Sequence, residues 1–488
     1  MIEHLKELIR SCNNWQSVKH PSFLFNADTK KVVAWDNEIG YHVPFLFKSR
    51  IIKSTEELQA VIREADIAFV TLDNLDETLI PTPIIFDDRM KPFPCFVLKY
   101  AIINKVILEE KIKRNEGFGE KPITNTLDDK YKALVEDIIA NGIKSGDRTG
   151  TGTKKLFGRM IRHSMTEGFP LLTTKKVFWK GILHELVWFL TDCTNIKYLV
   201  DNKVYIWVGD CYKRYLKYVN ETPDLDVFRP NILGMDLDPS EPTEKGIYQI
   251  RPFTQKEFIE QIKTNQEFAN EFGALGKVYG SEWTNWEEHI NQIQEVMETL
   301  VTNPDSRRML VTAWNPTNVR KALLPSCHYA FQVVTRELLA VERAELDRHP
   351  HGIDTWQVEG LTEDELKPYH EEWDKYGVPK RAISLMFNMR SVDVALGLPF
   401  DIASYGFLLS MMADCVNMIP EEVICCLADT HLYLDQIEPI GKQLSNAPYN
   451  LPKLKFNRKV KNIFDYKIDD FSIENYVSHE KVEIPLSN

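Results

Sequence analysis

The chemistry in this sequence starts at Cys327, which follows Pro325-Ser326 and precedes His328. A lone cysteine is as a rule a small buried hydrophobe. This one lies downstream of Arg307-Arg308, in a strand-then-loop setting that can bring a thiol close to a bound anion. Nearby guanidinium groups favour thiolate over thiol, and the thiolate is the nucleophile. Arg148 and Arg390 add two more guanidinium groups elsewhere in the chain. Scattered arginines are ordinarily solvated surface charges, although the planar fork of arginine suits a phosphate dianion better than an ammonium does. Glu185 sits in the apolar helical run His184-Glu185-Leu186-Val187-Trp188-Phe189-Leu190. An unbonded carboxylate there is costly. Glu185 is therefore either a cap or bridge at a helix edge, or a group whose pKa burial lifts toward the working pH, as general acid–base catalysis needs.

These residues need a scaffold, and the chain is long enough for more than one. It has 488 residues, 43% hydrophobic and 27% charged, the balance of a globular protein rather than a disordered one. Its net charge of −12 excludes a broad nucleic-acid-binding surface, so an anionic partner must be met by a local arginine cluster. The eight cysteines, at 12, 95, 193, 211, 327, 415, 425 and 426, form no CxxC pair. They read as reduced thiols of a cytoplasmic protein rather than a zinc site or disulfide framework. The first residues lack a signal peptide's apolar core, and no run of about 18 apolar residues is present, which argues against membrane association.

Residues 1–115 read as a mixed N-terminal domain of unknown function with a short opening helix. Its strand-like segments are VVAW, IAFV and Cys95-Phe-Val-Leu, and it carries no phosphate-binding glycine loop. Residues 116–130, rich in Gly, Pro and polar side chains, read as a linker. The second domain, 131–488, opens at Tyr131 with apolar residues at helical spacing. Two charged, turn-rich stretches, about 214–272 and 336–381, read as insertions that lie on the surface or touch partners rather than build core.

Along the second domain run DRTGTGT (147–153), EGFPLLTTKK (167–176), HELVWFL (184–190), PDSRR (304–308), LPSCH (324–328), MRSVDV (389–394), LGLPFDIASY (396–405) and DTHLY (429–433). In this order the motifs resemble the thymidylate synthase family, which includes the bacteriophage deoxycytidylate hydroxymethylases. The resemblance covers about 130–488 and implies an α/β (α+β) fold whose large mixed sheet forms a homodimer interface. The co-substrate would be 5,10-methylenetetrahydrofolate, with no metal. It implies that Cys327 adds to C6 of a pyrimidine nucleotide and makes C5 a carbon nucleophile toward the folate-borne one-carbon unit. Arg148, Arg307, Arg308, Arg390 and Ser391 would hold the 5′-phosphate, the paired Arg307 and Arg308 reaching in from the other subunit. Glu185 would shuttle protons, Asp393 would contact the pterin, and Tyr279 would lie near the nucleophile. His431 and Tyr433 would hydrogen-bond the deoxyribose 3′-hydroxyl, Lys175 would meet the folate's glutamate tail, and Trp207 would shield the C5 methylene.

The decisive departure from the synthases lies at one position. They carry Asn in GLPF-x-IASY, where this sequence has Asp401. An amide accepts from uracil N3–H and donates to O4, whereas cytosine presents an acceptor at N3 and a donor at the 4-amino group. A carboxyl can accept from that amino group and, when protonated, donate to N3. Bacteriophage deoxycytidylate hydroxymethylases carry Asp there. Phe387-Asn388-Met389-Arg390-Ser391 also resembles their version, and the tail Ile484-Pro485-Leu486-Ser487-Asn488 ends in polar side chains. A more polar tail would admit water, whose addition to the methylene intermediate gives hydroxymethyl rather than methyl. The expected substrate is dCMP and the expected product 5-hydroxymethyl-dCMP. A synthase acting on dUMP with a drifted Asn-to-Asp, a dCMP methylase, and a scaffold in a nucleotide-synthesis complex are the alternatives.

Overall fold

The computed structural model describes residues 125–147, 149–221, 236–242, 248–347 and 352–487, together with short strands between residues 21 and 104. The chain divides into two compact units, 1–123 and 124–488.

In the first unit, Lys31–Asp36, Pro21–Asn26, Cys95–Leu98 and Leu79–Pro81 form a four-stranded antiparallel sheet in that order. Ile67–Val70 pairs separately with Ala101–Asn104. VVAW, IAFV and CFVL thus all lie in strands, while the expected opening helix lies outside the described residues.

The second unit begins with helix α1 (Thr126–Asn141), five residues before the expected start. Asn125 caps it, its side chain accepting from Asp128 N–H. Asp128, expected in a linker, is buried, and its carboxylate takes the backbone N–H and hydroxyl groups of Thr173 and Thr174. The unit's framework is a six-stranded mixed sheet of β1 (Ile143–Ser145), β2 (Thr153–Ser164), β3 (Leu310–Thr312), β4 (His328–Glu337), β5 (Arg381–Asp393) and β6 (Ile419–Tyr433), ordered β3-β4-β5-β6-β2-β1. Only β5 and β6 run parallel, joined by helix α4 (Gly397–Val416); the other described pairs are antiparallel.

Alternation along β5 drives one sheet face inward. Ile383, Leu385, Phe387 and Met389 are buried, as are Val423, Cys425 and Leu427 of β6. α4 packs on that face and is apolar nearly all round, the signature of a helix enclosed by its protein. Gly406 lets it close on the loop before helix α2 (Trp179–Phe189), since a Cβ there would stand 2.4 Å from Pro170 Cγ. α4 ends at Asn417, in the left-handed conformation at φ 55°.

The two charged stretches are not mere surface excursions. Helix α3 (Val208–Glu221) leads into the first. There Tyr215 is surrounded by Phe253, Phe258, Phe268 and Phe272, all buried in the main core. The second stretch builds a small core of its own from Ala344, Val358, Leu366, Trp373 and Val378. Arg343 is 3% exposed within it, bonded to Asp374, His370 and the carbonyls of Val378 and Pro379, and lies over the Trp373 ring. High local charge misled the sequence reading, because the apolar residues here are sparse and spaced by turns.

Candidate active site

Cys327 ends the loop that enters β4, where the β4–β5 pairing shifts register between His328 and Ala330. Such an irregularity re-aims side chains at a strand end. Arg390 of β5 clamps this loop. Its backbone N–H donates to Cys327 O at 2.9 Å, Nε to Ser326 O at 2.9 Å, and Nη2 to Pro325 O at 2.6 Å. Nη2 also lies 3.6 Å from Cys327 Sγ, where a cation favours the thiolate. The Trp314 ring backs the guanidinium at 5.8 Å.

On the other side, Tyr279 Oη accepts from Cys327 N–H at 2.8 Å. Tyr279 is buried, and its φ of 30° is a conformation that non-glycine residues hold only under constraint from their surroundings. Burial first, and the nearby Cys327 second, push its phenol well above the usual range, so it keeps its proton. His328, beside the thiol in sequence, turns inward to Tyr405 Oη at 2.8 Å. Burial lowers it to about 3. It is neutral and is no base for Cys327.

Three carboxyl groups share the neighbouring region. Glu185 of α2 accepts from Trp207 Nε1 at 2.7 Å, and burial raises it to about 7 against that bond. Asp401 of α4 retains some surface exposure, yet protein surrounds its carboxyl closely. Burial first, then Glu185 and Asp393, push it well above the ordinary carboxylate range. Asp393 is firmly bonded. Oδ1 accepts from the N–H groups of Ala395 and Leu396 at 2.9 and 3.0 Å, and Oδ2 from Gln436 Nε2 at 2.9 Å.

The parallel β5–β6 register sets Ser391 beside Asp429 and Asp393 beside His431. These are the C-terminal ends of the two parallel strands, where open α/β sheets commonly bind ligands. His431 Nδ1 faces Asp429 Oδ1 at 3.0 Å, and Lys155 Nζ holds the other Asp429 oxygen at 2.8 Å. The Tyr433 ring meets His431 edge-on at 5.2 Å.

The structure thus brings together Cys327, Tyr279, Arg390, Glu185, Trp207, Asp393 and Asp401 by contact or electrostatic coupling, with Ser391, His431 and Tyr433 placed by the strand register. Arg307 and Arg308 lie exposed in the loop before β3, and among the described residues neither guanidinium has a side-chain partner. Arg148 lies outside the described residues. Lys175 points into the fold. It is 6% exposed and donates inward to Ala395 O at 2.5 Å, with burial lowering it to about 8. It supports the turn into α4.

Sequence reasoning missed Asp128, Trp314, Lys155 and Gln436. Asn125 three residues before Asp128, ahead of an apolar helical run, is a start signal that could have found the first. The others carry no local signal. Among the described residues no group of three or more His, Cys, Asp or Glu is placed to hold a metal ion, and no helix is long and apolar enough to cross a membrane.

The family model for thymidylate synthase matches residues 129–347 and 340–488. A thymidylate synthase of Mycoplasma mobile is 35% identical over 359 residues, covering 74% of this chain and 99% of that protein. Those of Malacoplasma penetrans and Listeria innocua are 34% and 33% identical, covering 72% and 73% of this chain and 98% and 99% of theirs. With the thiol, the carboxyl groups and the mixed sheet arranged as above, the chain belongs to the thymidylate synthase family: it is a one-carbon transferase acting on a pyrimidine deoxynucleoside monophosphate with methylenetetrahydrofolate as co-substrate.

Proposed function

We propose that this enzyme is a deoxycytidylate 5-hydroxymethyltransferase. The observation that carries the reading is Asp401, a carboxyl whose pKa burial and two neighbouring carboxyl groups push well above the ordinary range. A protonated carboxyl can donate to N3 of cytosine while its other oxygen accepts from the 4-amino group. The same carboxyl could face uracil only by donating to O4, a far weaker base than cytosine N3. The carboxyl proton therefore makes the stronger hydrogen bond to cytosine, whose N3 is the more basic acceptor.

In the proposed reaction Cys327 adds to C6, with Arg390 stabilising the thiolate and Tyr279 fixing the loop through Cys327 N–H. Glu185, near 7, takes and returns protons around the base. Asp393, with both oxygens engaged, offers a fixed carboxylate on the folate side, and the folate supplies the one-carbon unit when bound. Ser391, Arg148 and Arg390 hold the phosphate, and His431 and Tyr433 the 3′-hydroxyl. Arg307 and Arg308 reach into the second subunit of a homodimer. Support for the dimer comes from the outer face of the sheet, where Met160, Leu310 and Val334 are exposed beside part-exposed Met386, Ile424 and Cys426. Exposed apolar side chains gathered on one sheet face suit an interface.

Water addition is supported by the tail, whose Leu486 is exposed and whose Ser487 bonds Asp435. Trp207, buried and tied to Glu185, favours the dry alternative, a methyl product. Mass spectrometry after incubation with dCMP and methylenetetrahydrofolate decides. A product carrying one oxygen atom more than 5-methyl-dCMP supports the proposal, 5-methyl-dCMP contradicts the hydroxymethyl step, and turnover of dUMP alone contradicts the whole reading.

A further inference from the structure

Gln436 lies three residues past Tyr433, in the short 3-10 turn Leu434–Gln436, and is 0% exposed. Every polar group of its amide is engaged. Oε1 accepts from Tyr433 N–H at 3.1 Å. Nε2 donates to Asp393 Oδ2 at 2.9 Å and to the carbonyl of Pro485 at 3.1 Å. One planar amide therefore joins the backbone of a sugar-side residue, the folate-side carboxylate and the C-terminal tail.

The tail has a firm root and a lightly held tip. His479 N–H bonds Thr173 O at 2.9 Å, and Tyr476 Oη bonds Leu172 O at 2.8 Å. Beyond Glu480 the polar anchors to the body of the protein, among the described residues, are Gln436 at Pro485 and Asp435 at Ser487. Both come from the same turn. If the tip lifts, one N–H of a fully buried amide loses its acceptor, an arrangement that costs more than the bond itself contributes. If the amide rotates to recover a partner, Asp393 Oδ2 loses its donor.

We propose that Gln436 is a positioning residue that couples closure of residues 481–487 to the orientation of Asp393. The inference rests on the reading of Asp393 as the folate-side carboxyl. Tail and carboxylate are set together because the two amide hydrogens point in fixed directions about 120° apart, as sp² geometry at nitrogen requires.

Two variants of the full chain separate this role from a merely structural one. Gln436→Glu keeps the acceptor for Tyr433 N–H but replaces both donations with a carboxylate facing Asp393 and the Pro485 carbonyl; Gln436→Leu removes everything. The readouts are release of C-terminal residues by a carboxypeptidase without ligand, kcat/KM for methylenetetrahydrofolate, and the nucleotide Kd. Gln436→Glu is expected to release the tail about tenfold faster and to lose about tenfold in folate kcat/KM, with nucleotide Kd within about threefold of wild type. Lowering the pH should partly restore it, as the introduced carboxyl regains a proton to donate. Tail release and folate kcat/KM equal to wild type in Gln436→Glu would overturn the proposal, as would a loss confined to nucleotide binding. Wild-type protein that turns over no pyrimidine nucleotide would instead defeat the functional reading, and the ligand-free tail-release rates would still decide the latch.

Discussion

Trp207 donates its indole N–H to Glu185 Oε1 across 2.7 Å, the hydrogen bond that opposes the burial lifting this carboxyl to about 7. Glu185 thus stands near the pH at which an acid–base group works best in both directions.

That position has a stability cost whose sign follows from linkage. The folded carboxyl binds its proton up to about 7, whereas the unfolded one releases it near 4.5. Between those values the folded state holds more protons, so stability falls as pH rises and the deficit is complete above 7. Glu185→Gln cannot ionise. Urea unfolding should find it similar to wild type at acid pH and more stable by up to about 3 kcal/mol at alkaline pH, with activity lost. A difference independent of pH would contradict the assignment.

Cys327→Ser should form no covalent adduct with a 5-fluoropyrimidine deoxynucleotide and folate, and should lose at least about a thousandfold in kcat. Arg390→Met removes the guanidinium beside the sulfur. Alkylation of Cys327 by iodoacetamide at neutral pH should slow by about tenfold, because less of the thiol is ionised. Equal alkylation rates would remove Arg390 from the activation of the thiol.

The apolar outer face of the sheet predicts its own disruption. Met160→Glu combined with Val334→Glu places two charges on that face, so sedimentation should move from dimer to monomer. Activity should fall with it, because Arg307 and Arg308 then have no second site to enter. An active monomer would contradict the assignment of that pair.

Arg343 lies in the second charged stretch, where no residue of the candidate site touches it. Arg343→Leu should lower stability by about 3 kcal/mol, since Asp374 and two carbonyls lose a buried donor. Proteolysis between residues 338 and 380 should accelerate, and kcat should change by less than about threefold.

The site was legible where chemistry is written in short motifs. Cys327, Asp393, Asp401 and the DTHLY segment could be read because each lies inside a run of characteristic residues. The strands β5 and β6 were not legible, because apolar runs such as Leu385-Met386-Phe387 and Val423-Ile424-Cys425 carry no clean period of two. Gln436 and Lys155 were not legible. Gln436 reaches Asp393 and Pro485 more than forty residues away and Lys155 reaches Asp429 across the sheet, and neither the residue type nor its neighbours signal the partner. The inward turn of Lys175 was likewise not legible, because it depends on the packing of its loop on Asp128 and α4. Phe253, Phe258 and Phe268 show the opposite failure. Their apolar spacing was present, but the acidic residues around them suggested surface.

The central claim is that Asp401 reads the base, and kcat/KM for dCMP against dUMP in wild type and in Asp401→Asn tests it most directly. Wild type should favour dCMP, and the substitution should move the ratio toward dUMP by about tenfold or more, the scale of one buried hydrogen-bonding group matched to the wrong base. A wild-type preference for dUMP, or a ratio that Asp401→Asn leaves unchanged, would contradict the account.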